Sequence, residues 1–132
     1  MRLGVLYPAS GAEDEYQRMV QPLGGIDLRI VHTESDNSHD VIALRQTAAI
    51  GRLLVGASIL IPWKPDVVTW ACTSGSFIVG KKGALAQIEA LRETLGVPTG
   101  STSLAFVEAV LTLNVERVAV LAPYGRAASE SF

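Results

Sequence analysis

Cysteine occurs once in this chain of 132 residues, at position 72. A single thiol rules out an internal disulfide framework and any cysteine-rich zinc site, and it suits a reducing cytoplasm. Charge of one sign is equally scarce. Eleven Lys and Arg stand against 13 Asp and Glu, a formal net charge of -2. The short basic pair Lys81-Lys82 near an expected helix start leaves no footprint for nucleic acid. Long apolar runs are missing too. The longest, Leu53 to Trp63, is interrupted by Gly56, Ser58 and Pro62 and falls short of the roughly 20 residues that a membrane helix needs. The chain opens on strand-like Arg2-Leu3-Gly4-Val5-Leu6-Tyr7, without the basic, apolar and small-residue succession of a signal peptide, so no membrane association is expected. No G-x-G-x-x-G follows that strand, and Gly24-Gly25 and Gly80 are too weakly patterned for a phosphate loop. No G-x-S-x-G elbow supports a serine-hydrolase reading of Ser10, Ser74 or Ser76, and neither histidine is placed to serve one.

What the chain has in quantity is apolar material, 48% of its residues, enough for one domain with a real core. Strand-like and helix-like segments alternate. Leu3 to Tyr7 reads as a first strand, and the small-residue turn Pro8-Ala9-Ser10-Gly11 leads to a polar helix from Ala12 to Val20. Leu28 to Val31 reads as a second strand, followed by a polar loop from Glu34 to Asp40. Val41 to Ile61 then reads as one long helix stopped by Pro62. A third strand runs from Val67 to Ala71, with helical spacing from Phe77 to Leu95. Val97 to Thr99 is a short fourth strand, and Ser101 or Thr102 can cap a helix carrying Leu104, Phe106, Val107, Val110, Leu111 and Leu113. Arg117 to Leu121 is strand-like again. Repeated β-α-β units of this kind predict an α/β fold, a flavodoxin-like doubly wound parallel sheet with the first strand central.

The chemistry concentrates at Ala71-Cys72-Thr73-Ser74-Gly75-Ser76. This stretch lies where the third strand ends and a helix begins, and at the carboxyl ends of parallel strands ligands bind. Free backbone amides and the positive helix end favour an anion there, either a substrate carboxylate or a thiolate of lowered pKa. A buried structural cysteine is the competing reading. His32 and His39, near Asp36 and Asp40, read as a solvated loop rather than a metal site. Glu13-Asp14-Glu15 is an acidic first helical turn, and Trp63 and Trp70 read as packing residues.

An internal similarity adds to this. Arg2-Leu-Gly-Val-Leu-Tyr-Pro-Ala and Arg117-Val-Ala-Val-Leu-Ala-Pro-Tyr share Arg, Val, Leu and Pro at an offset of 115 residues. The match suggests that the chain begins a second copy of its own fold. The expected division is a first lobe over residues 1–114 and the first strand and start of a second lobe over 115–132.

Through Gly4-Val5-Leu6-Tyr7-Pro8, Val67 to Phe77, Val97-Pro98-Thr99 with Ser101-Thr102, and Val115 to Tyr124, the chain resembles the aspartate/glutamate racemase superfamily. Within it, the branch of maleate cis-trans isomerases and arylmalonate decarboxylases is most similar. The resemblance implies a pseudo-symmetric two-lobed fold, of which this is the first lobe, with the site between the lobes. It implies Cys72 as nucleophile or base, Thr73 and Ser74 as a carboxylate cradle, Tyr124 as a further donor, and Pro8, Ala9 and Ser10 as the opposite wall. It also implies cofactor-independent, metal-free chemistry on a small carboxylate or dicarboxylate. Maleate isomerisation is favoured over arylmalonate decarboxylation or amino-acid racemisation, because the decarboxylases tend to carry glycine where Cys72 stands. Members place a second catalytic cysteine in the second lobe, about 115 residues after Cys72, so the 132-residue chain alone is expected to be inactive. An apolar face awaiting that lobe predicts a homo-oligomer, and the setting expected is cytoplasmic. The alternative from a different class is a non-catalytic flavodoxin-like module that binds an anion at Thr73-Ser74-Gly75.

Overall fold

Apolar alternation and β-branched content produce four short strands that pair into one parallel sheet. The computed structural model describes residues 1–131 apart from Ala9, Ala12 and Asn37. Strands β1 (Arg2–Pro8), β2 (Asp27–Thr33), β3 (Val67–Trp70) and β4 (Thr99–Ser101) stand in the order β2-β1-β3-β4. The register sets Val5 beside Ile30, Leu6 beside Trp70, and Trp70 beside Ser101. The flavodoxin-like order with β1 in the interior is thus formed. The chain reverses its direction of travel across the sheet at β1, so the carboxyl ends of β1 and β3 open a crevice between them.

Helix α1 (Glu13–Val20) follows β1, and α2 (Val41–Thr47) and α3 (Ile50–Leu60) follow β2. Beyond β3 come α4 (Thr73–Phe77) and α5 (Gly80–Leu95), and beyond β4 comes α6 (Thr102–Leu113), with α7 (Arg126–Ser129) near the end. Helices α3 and α5 pack against each other over the sheet. Leu6, Val31, Leu53, Ala57, Leu60, Val68, Trp70 and Leu91 form the main core, which Cys72 joins. Close approach of α3 requires Gly56, where an added Cβ would lie 2.9 Å from Thr33 Cγ2 and 3.2 Å from Leu6 Cδ2. A second apolar cluster gathers Leu44, Ala48, Phe77, Ile78 and Ala128, with Tyr124 packed on it.

Four segments differ from the sequence reading. The long helix is broken at Ala48-Ala49, where Ala49 turns extended (φ -62°, ψ 127°) and the Ala48 carbonyl accepts a 2.7 Å hydrogen bond from the distant Gln87 side chain. The helical run after β3 is likewise two helices, separated at Gly80 with φ 68°, a left-handed conformation that glycine adopts without strain. Strand β4 sits two residues later than expected. Pro98 has no N–H to give a ladder, while its carbonyl accepts from the Val68 N–H at 3.0 Å. Residues 116–122 carry no regular structure, where a strand was expected. A strand needs a ladder partner, and among the described residues none pairs with this segment. Val118 and Val120, each 58% exposed, and Leu121 stand in the open beside the exposed Phe106, Val107 and Leu111 of α6. Among the described residues, the one stretch apolar and long enough by composition to cross a membrane, residues 41–63, is the broken α2 and α3 segment. Its Leu44, Leu53, Ala57 and Leu60 are buried in the protein interior.

Candidate active site

Cys72 ends the β3 segment in an extended conformation (φ -137°, ψ 108°) and caps α4, its Sγ accepting the Gly75 N–H at 3.2 Å. The Ser74 hydroxyl lies 3.7 Å from the same sulfur. Glycine at position 75 is what permits this. A Cβ there would come within 2.9 Å of Trp70 Cζ2 and 3.0 Å of Sγ. Behind the turn, the Ser76 hydroxyl is within donating distance of the carbonyls of Cys72, at 2.8 Å, and Thr73, at 3.0 Å. It also accepts the Ser103 N–H at 3.1 Å, which ties the turn to the start of α6. Gln87 of α5 donates to the Gly75 carbonyl at 3.1 Å as well as to Ala48.

The thiol itself departs from expectation. Cys72 is buried, 8% exposed, as in the competing reading of a core cysteine. Burial pushes its pKa above the ordinary thiol value, while hydrogen bonds from Gly75 and Ser74 pull the other way and do not win. Helix α4 has only five residues, so the dipole expected to acidify the sulfur is short. Cys72 therefore rests as a thiol at neutral pH.

A cleft of about 440 Å³ opens on this turn and brings together Pro8, Cys72, Thr73, Ser74 and Tyr124. Five of the seven residues singled out from the sequence thus share one space. Ser10 is exposed at the bend after β1 and does not line the cleft. Ala9 lies outside the described residues. Tyr124 is positioned by rings on both sides, the Phe77 centroid at 5.4 Å and the His39 centroid at 5.5 Å, each edge to face. Its backbone carbonyl accepts from the Ser129 hydroxyl at 3.1 Å, and the neighbouring Ala128 is buried against the second cluster, so α7 anchors the segment.

Several cleft residues escaped the sequence reading. Tyr7 and Tyr16 meet edge to face at 5.7 Å. Burial raises the pKa of both phenols, with smaller contributions from Glu13, the Cys72 sulfur and Glu15 at Tyr7 and from Tyr7, the Cys72 sulfur and Glu15 at Tyr16, so both stay protonated donors. Ser35, Ser38 and His39 come from the loop after β2, Thr47 from α2 and Thr102 from α6. The signal that could have found them is topological, because every loop at the carboxyl edge of the sheet faces the same crevice. The two histidines separate. His32 Nε2 pairs with Glu13 Oε1 at 3.1 Å on the outside, whereas His39 faces the cleft. Nine of the fourteen lining residues carry hydroxyls, and Asp, Glu, Lys and Arg are absent from them. Such a wall suits an anion held by neutral hydrogen bonds, which cost little to desolvate compared with a buried ion pair.

No protein-family model matches the sequence, and no curated protein matches it. Solved structures do. A cysteine-to-alanine variant of the maleate isomerase from Pseudomonas putida S16, with maleate, superposes with a TM-score of 0.84 at 20% identity, over 99% of this chain and 56% of that one. The Nocardia farcinica maleate cis-trans isomerase gives 0.84 at 19% identity, over 98% and 56%. That structure is a cysteine-to-serine variant with a covalently bound succinylcysteine intermediate. Arylmalonate decarboxylase gives 0.76 at 24% identity, over 99% and 56%. These neighbours are members of the aspartate/glutamate racemase superfamily. The chain spans little more than half the length of each, and its fold is that of one half of a two-lobed maleate isomerase.

Proposed function

We propose that this chain is a catalytic lobe of a cofactor-independent isomerase of small carboxylic acids, acting on maleate with Cys72 as the nucleophile. The observation that carries the reading is the placement of a thiol, the start of helix α4 and the Tyr124 phenol around one hydroxyl-lined cleft. The reaction is compatible with a thiol of raised pKa. The sulfur adds to one olefinic carbon of maleate, and the π electrons pass to the neighbouring carbon and its carboxylate as an enediolate. The thiol proton is taken up by that carbon. The product is a succinyl thioether with a single carbon-carbon bond free to rotate. Elimination then restores the thiol and releases fumarate. The enediolate is the species that needs stabilising, and the hydroxyls of Thr73, Ser74 and Tyr124 are the donors this reading assigns to it. The neighbouring Nocardia structure, named for a succinylcysteine intermediate, supports the same class of adduct. Catalysis by an unoxidised thiol suits a reducing compartment such as the cytoplasm.

Incubation with maleate followed by intact-mass and peptide analysis tests this. The expected result is an adduct on Cys72 with the mass of one maleic acid, or slower alkylation of Cys72 by iodoacetamide when maleate is present. Cys72→Ala abolishes both signals, and Tyr124→Phe slows adduct formation by about tenfold or more. A thiol that alkylates at the same rate with and without maleate and forms no adduct would sink the proposal.

A further inference from the structure

His39 is the one residue lining the cleft that can carry a positive charge near neutral pH. Its loop is held on both sides. Arg52 of α3 pairs with Asp36 at 2.7 Å and Glu34 at 3.2 Å. On the far side, Asp40 accepts the Ser38 hydroxyl at 2.6 Å and caps α2 through the Ala43 N–H at 2.9 Å. The imidazole is further set by the perpendicular Tyr124 ring. The groups around it are accounted for. Cys72, Tyr7 and Tyr16 share the cleft with it as neutral acids, and Tyr124 is the ring it touches. Glu34 and Asp36 are committed to Arg52, Asp40 to its cap, and Arg126 of α7 to Glu130. Arg45 of α2 is exposed and does not line the cleft.

A cleft that offers only hydroxyls and backbone amides satisfies one carboxylate well. A second carboxylate of the same small molecule leaves a second negative charge in a space with no fixed cation. We infer that His39 holds the second carboxylate of a dicarboxylate substrate whose first carboxylate lies at the Thr73-Ser74 turn. This rests on the reading of the Cys72 cleft as a carboxylate site. The cleft volume of about 440 Å³ accommodates a four-carbon diacid. Selection of a diacid over a monoacid then comes from one protonatable group supplied by this lobe.

Calorimetric titration with fumarate and with monomethyl fumarate, from about pH 5.5 to about pH 8, tests the assignment. Both carboxyl groups of fumarate are ionised over that range, so the protein supplies any pH dependence. Affinity for fumarate is expected to fall about tenfold or more between the two limits, while that for monomethyl fumarate changes little. His39→Gln binds fumarate weakly and without pH dependence. His39→Lys restores tight binding and keeps it to the upper limit. His32→Gln, outside the cleft, leaves the wild-type profile. A flat fumarate profile in the wild type, or the same fall in His39→Gln, overturns the role of His39 and leaves the carboxylate site standing. Failure of either ligand to bind at any pH overturns the carboxylate site and the inference with it.

Discussion

Gln87 is buried to 1% exposure and spans two backbone breaks, donating from one amide nitrogen to Ala48 at 2.7 Å and Gly75 at 3.1 Å. Replacing it by leucine keeps apolar volume but strands two carbonyl oxygens. Each lost bond is worth about 0.5 to 1.5 kcal/mol net, and each stranded buried acceptor raises that toward about 1 to 3 kcal/mol. Against this, the Gln87 Oε1 atom is itself buried without a partner, and leucine removes that cost. The balance for Gln87→Leu is a loss of about 2 kcal/mol. Gln87→Glu is worse and depends on pH. It offers no amide donor and sets a carboxyl group against two carbonyl oxygens, which keeps the folded-state pKa above the unfolded value of about 4.3. A raised folded pKa means that the variant is least impaired below the unfolded pKa and loses stability as pH rises through the folded one. Urea unfolding followed by tryptophan fluorescence, which reports on the fully buried Trp70, measures both. The reasoning is refuted if Gln87→Leu lies within about 0.5 kcal/mol of wild type, or if Gln87→Glu is equally stable at about pH 4 and about pH 8. Gln87→Leu also frees the Gly75 carbonyl, so Cys72 alkylation should change with it.

Gly75→Ala puts a methyl group against Trp70 and the Cys72 sulfur at about 3 Å. It should cost about 1 to 3 kcal/mol in urea unfolding and shift the pH profile of Cys72 alkylation upward as the Gly75 N–H contact loosens. Ser76→Ala strands the Ser103 N–H and unties α6 from the Cys72 turn. Its cost is about 1 to 3 kcal/mol, with faster amide hydrogen exchange at the start of α6 as the specific sign. Asp40 has its carboxylate pKa lowered, first by the Ser38 hydroxyl and then by the Ala43 N–H. A depressed folded pKa stabilises above the unfolded value and is lost as pH falls through the folded one. Asp40→Asn, which keeps a capping oxygen, should therefore lower the melting temperature at neutral pH and converge with wild type in acid.

The parts of this fold that could be read from the sequence are those governed by local periodicity. Strands β1 to β3 and the crevice end of β3 all follow from residues within a few places of one another. The parts that escaped depend on partners far away in the chain. Nothing near Ala48 announces a helix break, because the group that takes its carbonyl is 39 residues on, and Gln87 reads locally as one polar residue in an amphipathic helix. The acidity of Cys72 failed for a related reason. The free amides at the turn were visible in Thr73-Ser74-Gly75, but the opposing burial comes from Trp70 and the core, and it outweighs them. His39 reads locally as solvated loop and is exposed, but its place beside the Cys72 cleft depends on where Arg52 and Asp40 hold that loop.

The segment from 116 to 122 marks the converse case, a strand-like local pattern that forms no strand among the described residues. Its likeness to β1 allows a direct comparison. β1 is hydrogen-bonded on both edges, to β2 and to β3, and its Val5 and Leu6 are at most 1% exposed. The corresponding Val120 and Leu121 are exposed, at 58% and 102%. Alternating valines without two neighbouring strands gain neither ladder bonds nor burial, which is why the pattern alone does not make a strand here. The Cys72 cleft is in a different position. Its walls come from the loops of a completed sheet, and Tyr124 is anchored through α7 to the second apolar cluster of the lobe. Ligand binding at Cys72 and His39 can therefore be measured on this lobe itself.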